Sequence, residues 1–285
     1  MRDINRNRTE MANIQSSMSS AKKVRVPSQD PVAFQRSRSI EEDIRESEQF
    51  QKNISSGLRQ GRLAQDALDN SINELIEIKR ILVQSSSDSF SEVDRATMAG
   101  QIAGIRDSLI ATFNLSYGDR YLFAGTNSEE KPFTLDPTAP GGVADSSNTT
   151  PLKVAVENGV EIEISVTGAE IRNTSEGDFF EIIGNIEQAL LSNDGTALNS
   201  LIPAADELID NTTNVTARLG NKIARMEYLY EQFENTKITQ NAEISKLVDT
   251  DYAKAISELQ KNETIYQSMM AVQTRMFSNS LLNYI

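Results

Sequence analysis

The chain has 285 residues, a formal net charge of −13 at pH 7, and no cysteine, histidine or tryptophan. Without cysteine and histidine there is no disulfide, no thiolate nucleophile and no imidazole base or metal ligand, so most hydrolase and metalloenzyme schemes lose their central residue. The acidic charge argues against broad nucleic-acid binding, which relies on lysine and arginine. With 38% hydrophobic but only 6% aromatic residues, a slender, helix-rich body is expected.

Residues 1–30 are polar and are expected to be disordered in the monomer. Met11, Ile14 and Met18 lie at helical spacing, which predicts a short, weak helix. The first 40 residues carry eight basic and three acidic side chains. We interpret them as a solvated basic end, with a nucleic-acid or lipid patch as the alternative. The sequence has no apolar run that could cross a membrane and no apolar core of a secretory signal, so no membrane partner is expected.

Apolar spacing predicts a long helix for residues 32–83. It is separate from the N-terminal helix, because the two prolines in residues 21–31 end that helix. Its apolar residues recur at fourteen-residue intervals in two rows: Ile40, Ile54, Leu68 and Leu82, and Ile44, Leu58 and Ile72. Fourteen residues are two heptads, but polar residues and Gly61 interrupt the seam, so we expect helix pairing without a uniform zipper. Other apolar residues of this helix are candidates for contacts with neighbouring subunits: Phe50, Leu63 and Ile76.

The next helix is predicted for residues 91–114, with Ser91 as its N-cap and Asp94 in its first turn. Only the short polar stretch 85–89 separates it from the long helix, so the two helices should be antiparallel. The aromatic and aliphatic run at residues 121–123 is bounded by turn residues and predicts a short strand.

Residues 121–174 are predicted to form a small β-rich domain. The clearest signal is a hairpin over residues 152–166, in which apolar and polar residues alternate around an Asn158-Gly159 turn. One face of this hairpin is apolar and must be covered by other side chains. The expected cover consists of Tyr121, Phe123 and Phe133.

Two further helices are predicted after the hairpin. One covers residues 179–191 and ends before Asn193, and the other runs from about Leu198 to about Val248 with Pro203 in its first turn. The apolar stripe of the second helix, residues 208–233, is expected to pack against the long helix, since neither stripe can be buried alone.

The last segment, residues 251–285, is predicted to be a helix with an apolar seam and an apolar end. Apolar residues on a free terminus are unusual in a soluble monomer, so a partner surface explains them best, and a terminus folded back on its own core is the alternative. The candidate assembly interface consists of Ile256, Leu259, Tyr266, Met270, Phe277, Leu281, Leu282, Tyr284 and Ile285.

Several motifs of the chain occur in a known family. Residues 94–109 read D-R-A-T-M-A-x-x-I-x-x-I-R-D-S-L, and residues 118–126 and 131–133 read G-D-R-Y-L-F-A-G-T and K-P-F. The last segment contains D-Y-A near its start and ends in S-L-L-N-Y-I. In these motifs the chain resembles the flagellar hook-associated protein 3 family, the bacterial hook–filament junction proteins related to flagellin. The resemblance covers residues 14–133 and 205–285.

The resemblance implies a mainly α fold, a long antiparallel helical rod like the coiled-coil core of flagellin, with a small β-rich insertion. The helical rod would comprise residues 31–120 and 175–250, followed by a C-terminal assembly helix over residues 251–285. It implies a ring of copies between hook and filament, contacting the preceding junction protein and flagellin or other filament-side subunits. It also implies an export chaperone, export without a cleaved signal peptide, and an extracellular location on the flagellum.

The chain departs from the family pattern in residues 21–31, where Ala21 replaces a glycine and Gln29 replaces an aspartate. Alanine tolerates left-handed backbone poorly, so the turn geometry here is open. Family members carry an additional amphipathic stretch before this motif, and we therefore expect a truncated or mis-started N-terminus.

Other functions remain as alternatives to the junction protein. The chain could be flagellin, a non-flagellar coiled-coil adaptor, or an enzyme that uses carboxylates alone, with Asp249 and Asp251 or Glu129 and Glu130 as candidate pairs. Helix caps and solvated loops explain these carboxylates better. We therefore predict no enzymatic activity, no catalytic residues, no cofactor, no metal and no nucleic-acid partner.

Overall fold

The computed structural model describes residues 2–87 and 90–282, with side chains described as far as residue 275. Within these residues the protein is mainly α-helical with a small β-rich insertion, so the predicted fold class is confirmed. The seven helices are α1 (Arg2–Ser20), α2 (Pro31–Ser85), α3 (Glu92–Phe113), α4 (Gly168–Arg172), α5 (Phe179–Leu191), α6 (Gly195–Val248) and α7 (Tyr252–Leu282).

The described strands form four separate antiparallel pairs, and each sheet has two strands. The pairs are β1 (Ser116–Tyr117) with β2 (Arg120–Tyr121), β3 (Phe133–Leu135) with β4 (Val143–Asp145), β5 (Lys153–Glu157) with β6 (Val160–Glu163), and β7 (Asn173–Thr174) with β8 (Gly177–Asp178). The predicted Asn-Gly hairpin is present as β5 and β6, with Gly159 at φ 74° in the turn.

The strand predicted at residues 121–123 is shorter than expected. Only Tyr121 of this run belongs to β2. Leu122 N donates to the carbonyl of Leu115, which is the last bond of the β1–β2 pair, whereas the carbonyl of Phe123 accepts from Gly168 N of α4 at 2.7 Å. Leu122 and Phe123 are both buried.

The chain divides into two compact units, and each is described separately. The first unit contains residues 1–48 and 234–285, and the second contains residues 49–233. All eight strands lie in the second unit together with α3, α4 and α5.

In the second unit, α2 packs against α6 as the apolar stripes predict. Two glycines of α2 allow the close approach: a Cβ on Gly57 would lie 3.2 Å from Met226 Sδ, and one on Gly61 would lie 3.1 Å from Ile223 Cγ1. An ion pair between Arg62 and Glu227, 2.6 Å long, lies on the exposed side of the same contact. Gly61, which interrupts the heptad seam in the sequence, is therefore a packing residue.

Two expectations for these helices are wrong in detail. Phe50 does not face outward, because its ring stacks on Phe233 with 6.0 Å between centroids, whereas Leu63 and Ile76 are exposed. Pro203 lies eight residues after Gly195, well inside α6 and not in its first turn. The helix begins early because Asp194 accepts from the backbone N–H groups of its first turn.

The β-rich insertion is joined to the helices by a cluster of phenylalanines. Phe113, the last residue of α3, is fully buried and lies 5.6–6.4 Å, between ring centroids, from four other rings. The four rings are Phe123, Phe133, Phe179 and Phe180. Phe123 and Phe133 share the core with the β5–β6 hairpin as expected, but Tyr121 is only half-buried outside it.

A buried arginine connects the ends of four helices. Ser91 and Asp94 form a capping box at the start of α3, as the sequence predicts, and Arg95 follows them with 5% exposure. Its guanidinium donates to the carbonyl of Ser85 at the end of α2 and to Asn193 between α5 and α6. These backbone and amide acceptors hold the buried guanidinium, so Arg95 fixes the two helix connections against each other.

Candidate functional site

The candidate assembly interface predicted from the sequence lies on α7, in the first unit. Ile256 and Met270 are exposed, at 44% and 42%, whereas Leu259 and Tyr266 are half-buried. Phe277, Leu281 and Leu282 belong to α7, but their side chains lie outside the described part of the chain, as do Tyr284 and Ile285 altogether. The described interface residues therefore follow one helix, and two of them present free apolar surface.

One partner of α7 is α1, which the sequence did not identify. The helices run antiparallel: Tyr252 OH donates to the carbonyl of Met18 at 2.8 Å, and ten residues further along α7, Asn7 Nδ2 donates to Asn262 Oδ1 at 3.3 Å. Thus the N-terminal residues form a helix with a packing partner. The expected disorder of residues 1–30 in the free monomer stays a prediction.

Beyond Asn7, the two helices leave an open groove of about 560 Å³. Its apolar side chains come from both helices, and Val272 is 56% exposed. The groove is lined by Asp3, Ile4, Thr264, Ile265, Ser268, Met269, Val272 and Gln273. At 3.6 residues per turn, Val272 lies on the opposite side of α7 from Ile256 and Met270, so the groove is a second apolar surface of this helix.

The connections α1–α2 and α6–α7 are bonded to each other within the first unit. Lys23 N donates to the carbonyl of Val248 at 2.7 Å, and Thr250 N donates to the carbonyl of Ala21 at 2.9 Å. Lys22 pairs with Asp249 as an isolated antiparallel bridge. We call this set of backbone contacts the clasp. It holds the end of α1 beside the start of α7, so both helices leave the same point of the unit.

Ala21 adopts a left-handed backbone in the clasp, with φ 58°. This is the position where the family motif has glycine, and an alanine in this left-handed conformation is strained. Replacing Ala21 by glycine removes an alanine cost of about 1–2 kcal/mol and adds a glycine entropy cost of about 0.5–1 kcal/mol. We therefore expect Ala21→Gly to raise the free energy of unfolding by about 0.5–1 kcal/mol, measured by urea denaturation.

The matched control is Ala139→Gly, which changes a loop alanine with an ordinary φ of −83°. This substitution relieves no strain and should leave stability unchanged or slightly lower. Equal shifts for both variants would show that the left-handed φ of Ala21 has no energetic consequence.

Two of the carboxylates considered for an enzyme, those of Asp251 and Glu130, have local structural roles, and Asp249 takes part in the clasp through its backbone. Asp251 Oδ1 accepts from Lys254 N in the first turn of α7. Glu130 accepts from Asn127 Nδ2 at 2.8 Å in an exposed turn. Across residues 2–87 and 90–282, no group of three or more acidic side chains is placed to hold a metal ion. None of the helices described there is both long and apolar enough to span a bilayer.

Two regions of the chain match known family descriptions. Residues 1–128 match the bacterial flagellin N-terminal helical region, and residues 202–285 match the bacterial flagellin C-terminal helical region. Paired terminal helices of this kind, around a small β-rich insertion, define a flagellin-like protein. The chain is 25% identical to flagellar hook-associated protein 3 of Escherichia coli K12 over 305 positions, covering 99% of this chain and 95% of that protein. It belongs to the flagellar hook-associated protein 3 family.

Other similar proteins agree with this assignment. The crystal structure of flagellar hook-associated protein 3 from Legionella pneumophila has the same fold, with a TM-score of 0.67 and 16% identity over 74% of this chain and 98% of that chain. Flagellin of Listeria monocytogenes is 25% identical over 237 positions, which cover 81% of this chain and 78% of that protein.

Membership of the family defines the function at a coarse level. The chain is a structural, hook-associated component of the bacterial flagellum and not an enzyme. It is part of the exported flagellum, and the family implies assembly with components of hook and filament.

Proposed function

We propose that the protein joins hook and filament through packing of its helical ends, α1 and α7, against neighbouring subunits. The observation that carries this proposal is the apolar surface of α7: Ile256 and Met270, which lie fourteen residues apart on one side of the helix, are both more than 40% exposed. Exposed apolar residues in a row along one helix mark an interaction surface. The interface would continue through Leu259, Tyr266, Phe277, Leu281, Leu282, Tyr284 and Ile285.

The proposed partners are copies of the chain in a ring, the preceding hook-associated junction protein on one side, and flagellin or filament-side subunits on the other. An export chaperone would cover the apolar helix before secretion, and no membrane or nucleic acid takes part. The protein would act outside the cell at the hook–filament junction, after export without a cleaved signal peptide.

The proposed division of labour follows the domains expected from the sequence. Residues 31–120 and 175–250 would form the paired helical rod, and residues 121–174 the β-rich domain. Residues 1–30 and 251–285 would act in assembly, gaining order from neighbours in the junction. The clasp supports this division, because its backbone bonds hold residues 21–23, at the end of α1, beside residues 248–250, just before α7. The two assembly helices therefore extend from one point.

Removing residues 280–285 tests the proposal. If their apolar side chains pack against other subunits, the truncation deletes buried groups worth roughly 1.5–3 kcal/mol each in assembly but little in the monomer. We expect an almost unchanged melting temperature of the purified protein, together with normal export and a loss of filaments retained on hooks. Thermal melting and a motility assay measure the two effects.

The matched control is Leu135→Ser, which removes an apolar side chain that is 66% exposed in the second unit. This variant should leave motility unchanged, because Leu135 lies on β3 and not on the assembly helices. A large drop in melting temperature of the truncated protein would place the end of α7 in the core. Normal motility would show that it has no role in assembly.

Immunolabelling separates a junction protein, seen at the filament base only, from a flagellin, seen along the whole filament.

A further inference from the structure

The first unit presents a small basic projection between α1 and α2. It consists of Lys22, Lys23, Arg25 and Val26, all exposed, and we call it the basic knuckle. Gln29 forms two hydrogen bonds with the basic knuckle. Gln29 Oε1 accepts from Arg25 N at 2.7 Å, and Gln29 N donates to the carbonyl of Val26 at 3.1 Å. The clasp fixes the other side of the knuckle. These hydrogen bonds give the basic knuckle a defined conformation.

The cations of the basic knuckle have no acidic partner in the part of the chain that the structure describes. Lys23 Nζ donates to the carbonyl of Lys246 at 2.8 Å, and neither Lys22 nor Arg25 forms an ion pair there. Val26 adds an apolar side chain with 46% exposure. Three unpaired cations beside an exposed valine, in a chain of net charge −13, make this projection complementary to an acidic surface.

An acidic surface of matching character lies on α2 of the same unit. Asp43 and Glu46 are exposed, and their i,i+3 spacing places them on one side of the helix. Nearby carboxylates are already paired: Glu41 with Arg38 at 3.0 Å, and Glu48 with Lys237 at 2.7 Å. Within the described residues, Asp43 and Glu46 have no such cation. We call these two residues the acidic stripe.

The two surfaces are too far apart to meet within one chain. Twelve residues of α2 separate Pro31, next to the basic knuckle, from Asp43. At 1.5 Å per residue, this separation is about 18 Å along the helix, beyond the reach of a lysine side chain. Each surface is therefore free to bind a different molecule.

We propose that the basic knuckle of one copy binds the acidic stripe of a second copy. The two surfaces differ, so the contact is head-to-tail, and repeated contacts of this type close into a ring when the rotation between copies permits. The inference rests on the proposed ring at the hook–filament junction and names the surfaces by which its neighbours recognise each other. Charge complementarity would set the orientation and register of the copies.

Zero-length cross-linking of the unaltered protein tests the inference. Hook–filament preparations are treated with a water-soluble carbodiimide, which joins an ammonium group to a carboxylate in direct contact, and the cross-linked peptides are identified by mass spectrometry. We expect links from Lys22 or Lys23 to Asp43 or Glu46, and only in bands of dimer size or larger. The ion pair between Lys237 and Glu48, 2.7 Å long, provides an internal control, since a link between these two residues forms within one chain.

The possible results are distinct. If the Lys237–Glu48 link is found but the basic knuckle is not linked to the acidic stripe, the inference is wrong. Links from the basic knuckle to carboxylates of another flagellar protein would show that this protein, and not a second copy of the chain, is its partner, and the inference would be wrong. If the monomer band is missing from the same sample, the chain is absent from the hook–filament preparation. That result contradicts the proposed function and not the contact between copies.

Charge reversal gives a second test that does not depend on cross-linking. Lys22→Glu with Lys23→Glu, or Asp43→Lys with Glu46→Lys, should each reduce the filaments retained on hooks about tenfold, because like charges then face each other. All four side chains are exposed, so the fold should tolerate the changes. Combining both pairs in one chain should restore filament retention, and failure to restore it would contradict the proposed contact.

Discussion

Replacing Gly141 by alanine is expected to lower the free energy of unfolding by about 2–5 kcal/mol. Gly141 has φ 63°, and a Cβ there would lie 2.2 Å from the carbonyl carbon of Phe180 and 2.4 Å from the backbone N of Glu181. The left-handed φ costs about 1–2 kcal/mol for alanine, and the forced displacement of the first turn of α5 costs about 1–3 kcal/mol more. Urea denaturation followed by circular dichroism measures the change.

The adjacent residue provides the control for this prediction. Gly142 has φ 74°, but a Cβ there would meet no atom within 4 Å. Gly142→Ala should therefore lose only the backbone term of about 1–2 kcal/mol. Similar losses for the two variants would mean that α5 moves away without cost, and that the close approach of Gly141 does not help to hold the insertion on the helices.

Phe113→Ala is expected to lower the free energy of unfolding by about 3–5 kcal/mol. The ring of Phe113 is fully buried and contacts four other phenylalanine rings, so its removal leaves a cavity where α3, α5 and the strands meet. Each aromatic contact adds about 0.5–1.5 kcal/mol to the burial of apolar area. Thermal and urea denaturation should both report the loss.

Phe50→Ala is the matched control, because Phe50 is half-buried and contacts one ring, that of Phe233. Its removal should cost clearly less than that of Phe113, since less area is buried and the site is open to water. If the two losses are equal, the phenylalanine cluster does not hold the insertion more firmly than an ordinary contact at the edge of the core.

Features set by neighbouring residues were predictable from the sequence. Ser91 and Asp94 form the capping box, and the Asn158-Gly159 turn joins β5 to β6, because each signal acts over a few residues. The apolar stripes of α2 and α6 also gave their pairing correctly, since a stripe that needs burial has few possible partners in a chain of this length.

Features that join distant parts of the chain were not predictable. The contact of Arg95 with Asn193 spans 98 residues, and a single arginine in a helix gives no signal for it. The strand predicted at residues 121–123 ends early, and Phe123 bonds to Gly168 of α4, a contact that periodicity does not report. Pro203 lies inside α6 because Asp194 caps the helix earlier in the chain than the apolar pattern indicates. Apolar spacing locates a helix but does not define its first residue.

The candidate site was predicted in part. The seam on α7 identified Ile256 and Met270, which the structure places on the surface, but the sequence gave no reason to place α1 beside them. The helix α1 is polar on average, and its contacts with α7 include side-chain hydrogen bonds that an apolar pattern does not report. Ala21 and Gln29 differ from the residues of the family motif. Only the structure shows that the turn here contains a left-handed alanine and that the Gln29 side chain accepts a hydrogen bond from Arg25 N.

The four strand pairs share no strand with one another in the described part of the chain. A hairpin can therefore gain or lose residues at its turn without breaking the hydrogen bonds of any other pair, provided that its side chains still reach the common core. The stretch between the two flagellin regions, residues 129–201, contains three of these pairs. Relatives are thus free to vary most in length in this stretch, whereas an insertion in α2 or α6 would rotate every following side chain about the helix axis.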